Sequence, residues 1–184
     1  MENGSIYHEK QNLMLCAVHA LNNLFQDPNA FSKRSLDDIC YLLDPNSTIN
    51  AHKNPLGLGN YDVNVVMAAV NQKGCEAVWF DRRMNPDCLD LDNIFGFIIN
   101  TPSGMNIAGI GLPIKRPHWY GVRKIGTCYY NLDSKLPCPK DLGDNNQMIH
   151  FLNVLLATEE KAQVLIVVEK KIFESRNWKK SQGE

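Results

Sequence analysis

The chain has 184 residues, enough for one ordinary domain, and its 44% hydrophobic and 21% charged residues are the balance of a globular protein. A formal net charge of −1 supplies no field for nucleic acid or an anionic membrane, and no apolar run approaches the ~20 residues of a membrane span. Six cysteines without a Cys-x-x-Cys pair argue against a disulfide scaffold or a metal site and for reduced thiols, and residues 1–5 lack a secretory signal's basic and apolar regions. The expected location is therefore the cytoplasm, or also the nucleus.

In chain order, a polar segment ends at Asn12. Leu15, Val18, Leu21, Leu24 and Phe25 then recur at helical spacing. Gln26-Asp27-Pro28-Asn29 is a turn, and a second helix follows, with Ser35 as its cap and Leu36, Ile39, Cys40, Leu42 and Leu43 as its apolar stripe. Residues 46–60 have few apolar anchors and read as a mobile connection or an arm. Asp62 caps a third helix with Val63, Val66, Met67 and Val70 inward, and Gly74 ends it.

From there the period changes. Residues 77–80 and 95–100 read as strands, the second of them central, on either side of a turn at 81–86. Residues 101–117 hold three Gly and three Pro and read as a loop with at most a short strand. Two further strands, 118–124 and 128–132, are joined through Ile125-Gly126-Thr127. A last helix falls within 141–158, 164–168 is a buried strand, and the polar tail from Lys170 is expected to fray. Helices first and strands later predict an α+β fold with a mainly antiparallel sheet.

Chemistry gathers at two places. A helix beginning near Leu15 puts Cys16 in its first turn, where unpaired N–H groups and the positive end of the dipole favour a thiolate. Gln11, five residues earlier, offers an amide N–H that can point at the same spot. A buried free cysteine is more often a small hydrophobe, so the rest of the chain has to decide. A tight turn at Ile125-Gly126 sets His118 directly opposite Asp133, with Cβ atoms roughly 4.5–5.5 Å apart. Such a carboxylate orients an imidazole and stabilises the imidazolium, although His–Asp pairs also occur as ordinary surface contacts. His19, three residues after Cys16, reads as a helix histidine with its polar atoms satisfied. His8, His52 and His150 read as surface or loop residues, and Arg82-Arg83 as a solvated turn.

Tyr7-His8-Glu9-Lys10-Gln11 with Leu15-Cys16-Ala17-Val18-His19-Ala20-Leu21-Asn22-Asn23, then His118-Trp119 and Tyr130-Asn131-Leu132-Asp133-Ser134, resemble the Josephin domain, above all its short stand-alone members. The resemblance implies one papain-like cysteine protease domain over residues 6–169. A helical arm would run over about residues 31–60, and a polar tail would fill 170–184. It implies a deubiquitinase that cuts after the C-terminal glycine of ubiquitin, with ubiquitin and ubiquitinated proteins as partners, no cofactor or metal, and a monomeric state. Position by position, it makes Cys16 the nucleophile, His118 the base and acid, and Gln11 the oxyanion donor. Asp133 stands where other Josephin domains carry Asn, and Val63, Asn64 and Trp119 fall at substrate-binding positions. Two other classes remain: a ubiquitin-binding module with weak or gated catalysis, and an acyltransferase or transglutaminase-like enzyme sharing the triad.

Overall fold

The computed structural model describes residues 5–11, 15–46, 61–107 and 110–180, with the backbone alone at 105–107 and 110–115. Three helices come first: α1 (Cys16–Phe25), α2 (Lys33–Leu43) and α3 (Val63–Gln72). Strands β1 (Cys75–Trp79), β2 (Gly96–Ile107), β3 (Ile110–Ile125), β4 (Cys128–Asn131), β5 (Lys140–Gly143) and β6 (Gln163–Glu169) follow, with α4 (Asn145–Thr158) before β6 and α5 (Lys170–Ser175) after it. The strands form one sheet in the order β1-β6-β2-β3-β4-β5, and every pair in it is antiparallel. This is the α+β fold the sequence predicts.

Both faces of the sheet are covered, and the alternation of side chains along each strand divides the core in two. Ile98, Trp119, Leu165 and Val167 face α1 and α3, whereas Phe97, Ile99, Tyr120, Val122, Val164 and Ile166 face α4. A strand buried on both faces needs an unbroken apolar run, which is what residues 164–168 supply. α1 lies hard against β3: a Cβ on Gly121 would stand 3.0 Å from the Ala20 carbonyl oxygen and 3.3 Å from Leu24 Cβ. That close approach fixes the distance between the helix carrying Cys16 and the strand carrying His118.

Several local expectations need correction. Ser32, not Ser35, is the cap of α2, and Ser35 at the third position reciprocates to form a capping box. Leu36, Ile39 and Cys40 are buried, but Leu42, which lies off that stripe, and Leu43, in the last turn, are 71% and 42% exposed. Residues 101–107 and 110–117 are not a loop: β2 and β3 run on as a two-stranded ribbon that pairs Thr101 with His118 and Pro102 with Pro117. β6 stops pairing β2 at Asn100, and β4 first pairs β3 at Val122. Among the described residues each ribbon strand therefore has an open edge, where a proline's missing N–H breaks no ladder.

The tail does not fray at Lys170. α5 begins there, Trp178 is buried, and Lys179 bridges to Leu89, with Asp90 N–H donating to the Trp178 carbonyl at 3.0 Å. One aromatic anchor outweighs its polar neighbours. Of the expected arm, α2 lies within the described residues, whereas 47–60 and His52 lie outside them. No helix among the described residues is long and apolar enough to cross a membrane.

Candidate active site

Cys16 is the first residue of α1. The preceding residue, Leu15, makes no side-chain cap, so no cap side chain takes up the first-turn N–H groups. The helix is buried along its length because both the sheet and α3 pack on it. Cys16 itself is 5% exposed and His118 4%. All six cysteines are free thiols.

His118 comes from β3, just where β2 remains its sole partner strand among the described residues. Its Nε2 lies 2.7 Å from Asp133 Oδ1, and the Cys16 side chain is among the neighbours that raise the ring's pKa. With Nε2 engaged by the carboxylate, Nδ1 is the ring nitrogen left for a different partner. Tyr120 stacks on the same imidazole, centroid to centroid 6.2 Å at 26°. The fold thus brings Cys16 into the neighbourhood of the His118–Asp133 pair, about a hundred residues later in sequence.

The His118–Asp133 contact is as expected, but the register behind it is not. The turn is Gly126-Thr127, with Gly126 at φ 64°, and Ile125 rather than Lys124 begins the closing pair. This moves the strands two residues past each other, which preserves the face on which each side chain lies. Asp133 reaches His118 diagonally, from the turn that β4 enters after Leu132 N–H bonds the Gly121 carbonyl at 2.9 Å. The turn is held from several sides. Asp133 N–H donates to Asn131 Oδ1 at 2.9 Å, Asp133 Oδ1 accepts from Lys135 N–H at 2.9 Å, and His8 Nε2 bonds the Asp133 carbonyl at 2.9 Å.

Electrostatics follow from this packing. Burial alone would lower the pKa of His118, but the bond to Asp133, the bond to Cys16 and the nearby carboxylate charge outweigh it, and the ring's pKa rises above its ordinary value. Burial alone would raise that of Asp133, but His118 and the Lys135 N–H hold the carboxyl below its usual range. Each partner favours the charged form of the other.

Gln11 enters beside the acid turn, its N–H donating to the Ser134 carbonyl at 2.7 Å. Val63 is half-buried and Asn64 exposed, both in the first turn of α3, whose cap Asp62 accepts from Asn64 N–H at 2.9 Å and Val65 N–H at 3.2 Å. Trp119, expected at a substrate-binding position, is instead 3% exposed and part of the core. Its neighbour His118 faces the opposite side of β3, so Trp119 points beneath the site and donates Nε1–H to the Tyr61 carbonyl at 3.1 Å. It joins the start of α3 to the strand of His118.

His19 is a satisfied helix histidine as expected, its Nδ1 2.5 Å from Glu9 Oε2. Sequence reasoning missed what surrounds it. Glu9 also receives Asn22 Nδ2 at 3.0 Å and the Tyr7 hydroxyl, while Asn23 reaches both Glu9 and the carbonyl of Leu132. His8, read as a surface residue, holds the acid turn. The available signal was a stripe of polar residues, His19, Asn22, Asn23 and Gln26, on a helix otherwise apolar. Buried polar side chains require partners.

The Josephin family model matches residues 11–168. A Josephin-like protein of Drosophila melanogaster is 52% identical over 157 residues, covering 85% of this chain and 71% of its own. Josephin-2 of Mus musculus is 47% identical over 174 residues, covering 95% and 92%. Ataxin-3 of Gallus gallus is 28% identical over 174 residues, which are 90% of this chain and 45% of that protein.

Proposed function

Because the chain belongs to the Josephin family, we propose that it is a cysteine-type deubiquitinase, hydrolysing the peptide or isopeptide bond after the C-terminal glycine of ubiquitin. One observation carries this reading: His118, whose Nε2 lies 2.7 Å from Asp133 Oδ1, has a raised pKa to which the helix-initiating Cys16 contributes along with that carboxylate. Cys16 Sγ attacks the glycine carbonyl as its proton resides on His118, and Asp133 stabilises the resulting imidazolium. The Cys16 N–H and the Gln11 amide receive the developing oxyanion, each such donor supplying ~2.7–4 kcal/mol of transition-state stabilisation. His118 then protonates the leaving amine, leaving a thioester. The same ring takes a proton from water, the hydroxide attacks, and ubiquitin departs with a free carboxylate.

The shielding of Cys16 and His118 suits a flexible tail that ends in glycines, since larger side chains at the scissile bond would clash. Val63 and Asn64 would meet the folded part of ubiquitin. The same shielding favours a second reading, a ubiquitin-binding module whose catalysis is gated. Turnover of ubiquitin carrying a C-terminal fluorogenic amide, wild type against Cys16→Ala, decides between them. Steady hydrolysis abolished by the substitution supports the enzyme. Binding of ubiquitin without turnover leaves the module.

A further inference from the structure

The segment carrying Gln11 is not paired to a β-strand on its α1 side, yet its backbone is paired there. Asn23 Oδ1 accepts from the Glu9 N–H at 2.6 Å, while Asn23 Nδ2 donates to the Glu9 carbonyl at 3.3 Å. Three residues on, Gln26 Oε1 accepts from the Tyr7 N–H at 2.9 Å, and its Nε2 donates to the Tyr7 carbonyl at 3.0 Å. Two side-chain amides one helical turn apart thus engage both backbone groups of alternate residues, as a neighbouring antiparallel strand would. Asn23 does one thing more. Its Nδ2 also donates to the Leu132 carbonyl at 2.9 Å, one residue before Asp133. Its side chain is fully buried, so nothing but protein satisfies these groups.

We infer that Asn23 is a positioning residue for the reaction, aligning the Gln11 segment and the Asp133 turn with Cys16 through one buried amide. The inference rests on the reading of Gln11 as oxyanion donor given above. It follows from the geometry: α1 begins with the nucleophile, and two turns later the same rigid helix grips the two segments that carry the other functional groups. The Glu9 carboxylate, held by His19 Nδ1 at 2.5 Å and Asn22 Nδ2 at 3.0 Å, fixes the remaining freedom of that segment. On its far side the segment is closed by Gln11 N–H on Ser134 and His8 on Asp133. Gln26 aligns only the outer part, since its contacts are to Tyr7 and to its own helix.

A double-mutant cycle tests this, with the full chain and the fluorogenic ubiquitin amide. Asn23→Ala is expected to lower kcat about tenfold or more with KM changed less than about threefold, because alignment is lost and not ubiquitin binding. In a Gln11→Ala background the same substitution is expected to cost at least about threefold less than in the wild type, since one of the two groups it aligns is already gone and only the loss at the Asp133 turn remains. A purely structural role would give the full loss in both backgrounds, and that result overturns the inference while leaving the oxyanion reading intact. A Gln11→Ala enzyme with wild-type kcat overturns the oxyanion reading and the inference with it. If Asn23→Ala does not fold, the cycle run with Asn23→Ser decides: a kcat loss that shrinks in the Gln11→Ala background supports the alignment, and an additive one refutes it.

Discussion

Removing the Asp133 carboxylate reaches the site through one group. In Asp133→Ala, His118 Nε2 loses its acceptor at 2.7 Å, and the Lys135 N–H loses its own at 2.9 Å. A hydrogen bond to a charged group is worth ~1.5–3 kcal/mol, so kcat should fall about 10- to 150-fold. Asp133→Asn keeps an oxygen for the imidazole N–H and loses only charge, so it should retain most of the activity. Because Asp133 raises the pKa of His118, the alkaline limb of the rate profile in Asp133→Asn should move to lower pH. Stability should follow the same pair. His118 has a raised pKa in the folded state, so its contribution is present below the unfolded value of about 6.5 and is lost as pH climbs through the folded one. Asp133 is depressed, so its contribution is present above about 3.9 and is lost as pH falls through the folded value. The Tm gap between wild type and Asp133→Ala should therefore be widest between about pH 4 and 6.5 and close on both sides. Turnover of the fluorogenic ubiquitin amide and thermal melts across pH measure both. A folded Asp133→Ala enzyme with full kcat, or a Tm gap that does not vary with pH, would refute the pairing.

Gly121→Ala should push α1 from β3, because the new methyl would meet the Ala20 carbonyl oxygen at 3.0 Å. Overpacking of this kind costs ~1–3 kcal/mol, and kcat should drop with it, whereas Gly104→Ala, with nothing within 4 Å, should change neither. Trp178→Ala should cost ~3–5 kcal/mol in denaturant melts, since the ring is 7% exposed against the α4 side of the core. Ser32→Ala removes an acceptor 3.1 Å from Ser35 N–H and should cost about 1 kcal/mol without affecting kcat.

Residues whose role is set by local chemistry were legible in the sequence. Asp62 caps α3 because a carboxylate there meets free N–H groups whatever the fold, and residues 164–168 had to be a buried strand. The contact between His118 and Asp133 was legible despite a two-residue error in register, because only parity decides which face a side chain occupies. What could not be read depends on neighbours distant in sequence. The prolines of residues 101–117 suggest a loop until the sheet shows that both strands have an open edge there. Trp178 looks like part of a polar tail until residues 88–90 supply backbone partners on either side of it. Trp119 sits beside a functional histidine, yet alternation along β3 sends it into the core. Glu9 and Asn23 carry no recognisable chemistry of their own, and their importance appears only when α1, the entering segment and the Asp133 turn are seen together.

The account turns on which of six thiols reacts. Ubiquitin with an electrophile in place of its terminal carbonyl, followed by peptide mapping of the adduct, asks this directly. Cys16 is 5% exposed whereas Cys138 is open to solvent, so simple accessibility and assisted chemistry predict opposite sites. The account predicts one adduct, on Cys16, formed much more slowly in His118→Ala. Labelling of Cys138, or labelling of Cys16 at the same rate without His118, would contradict it.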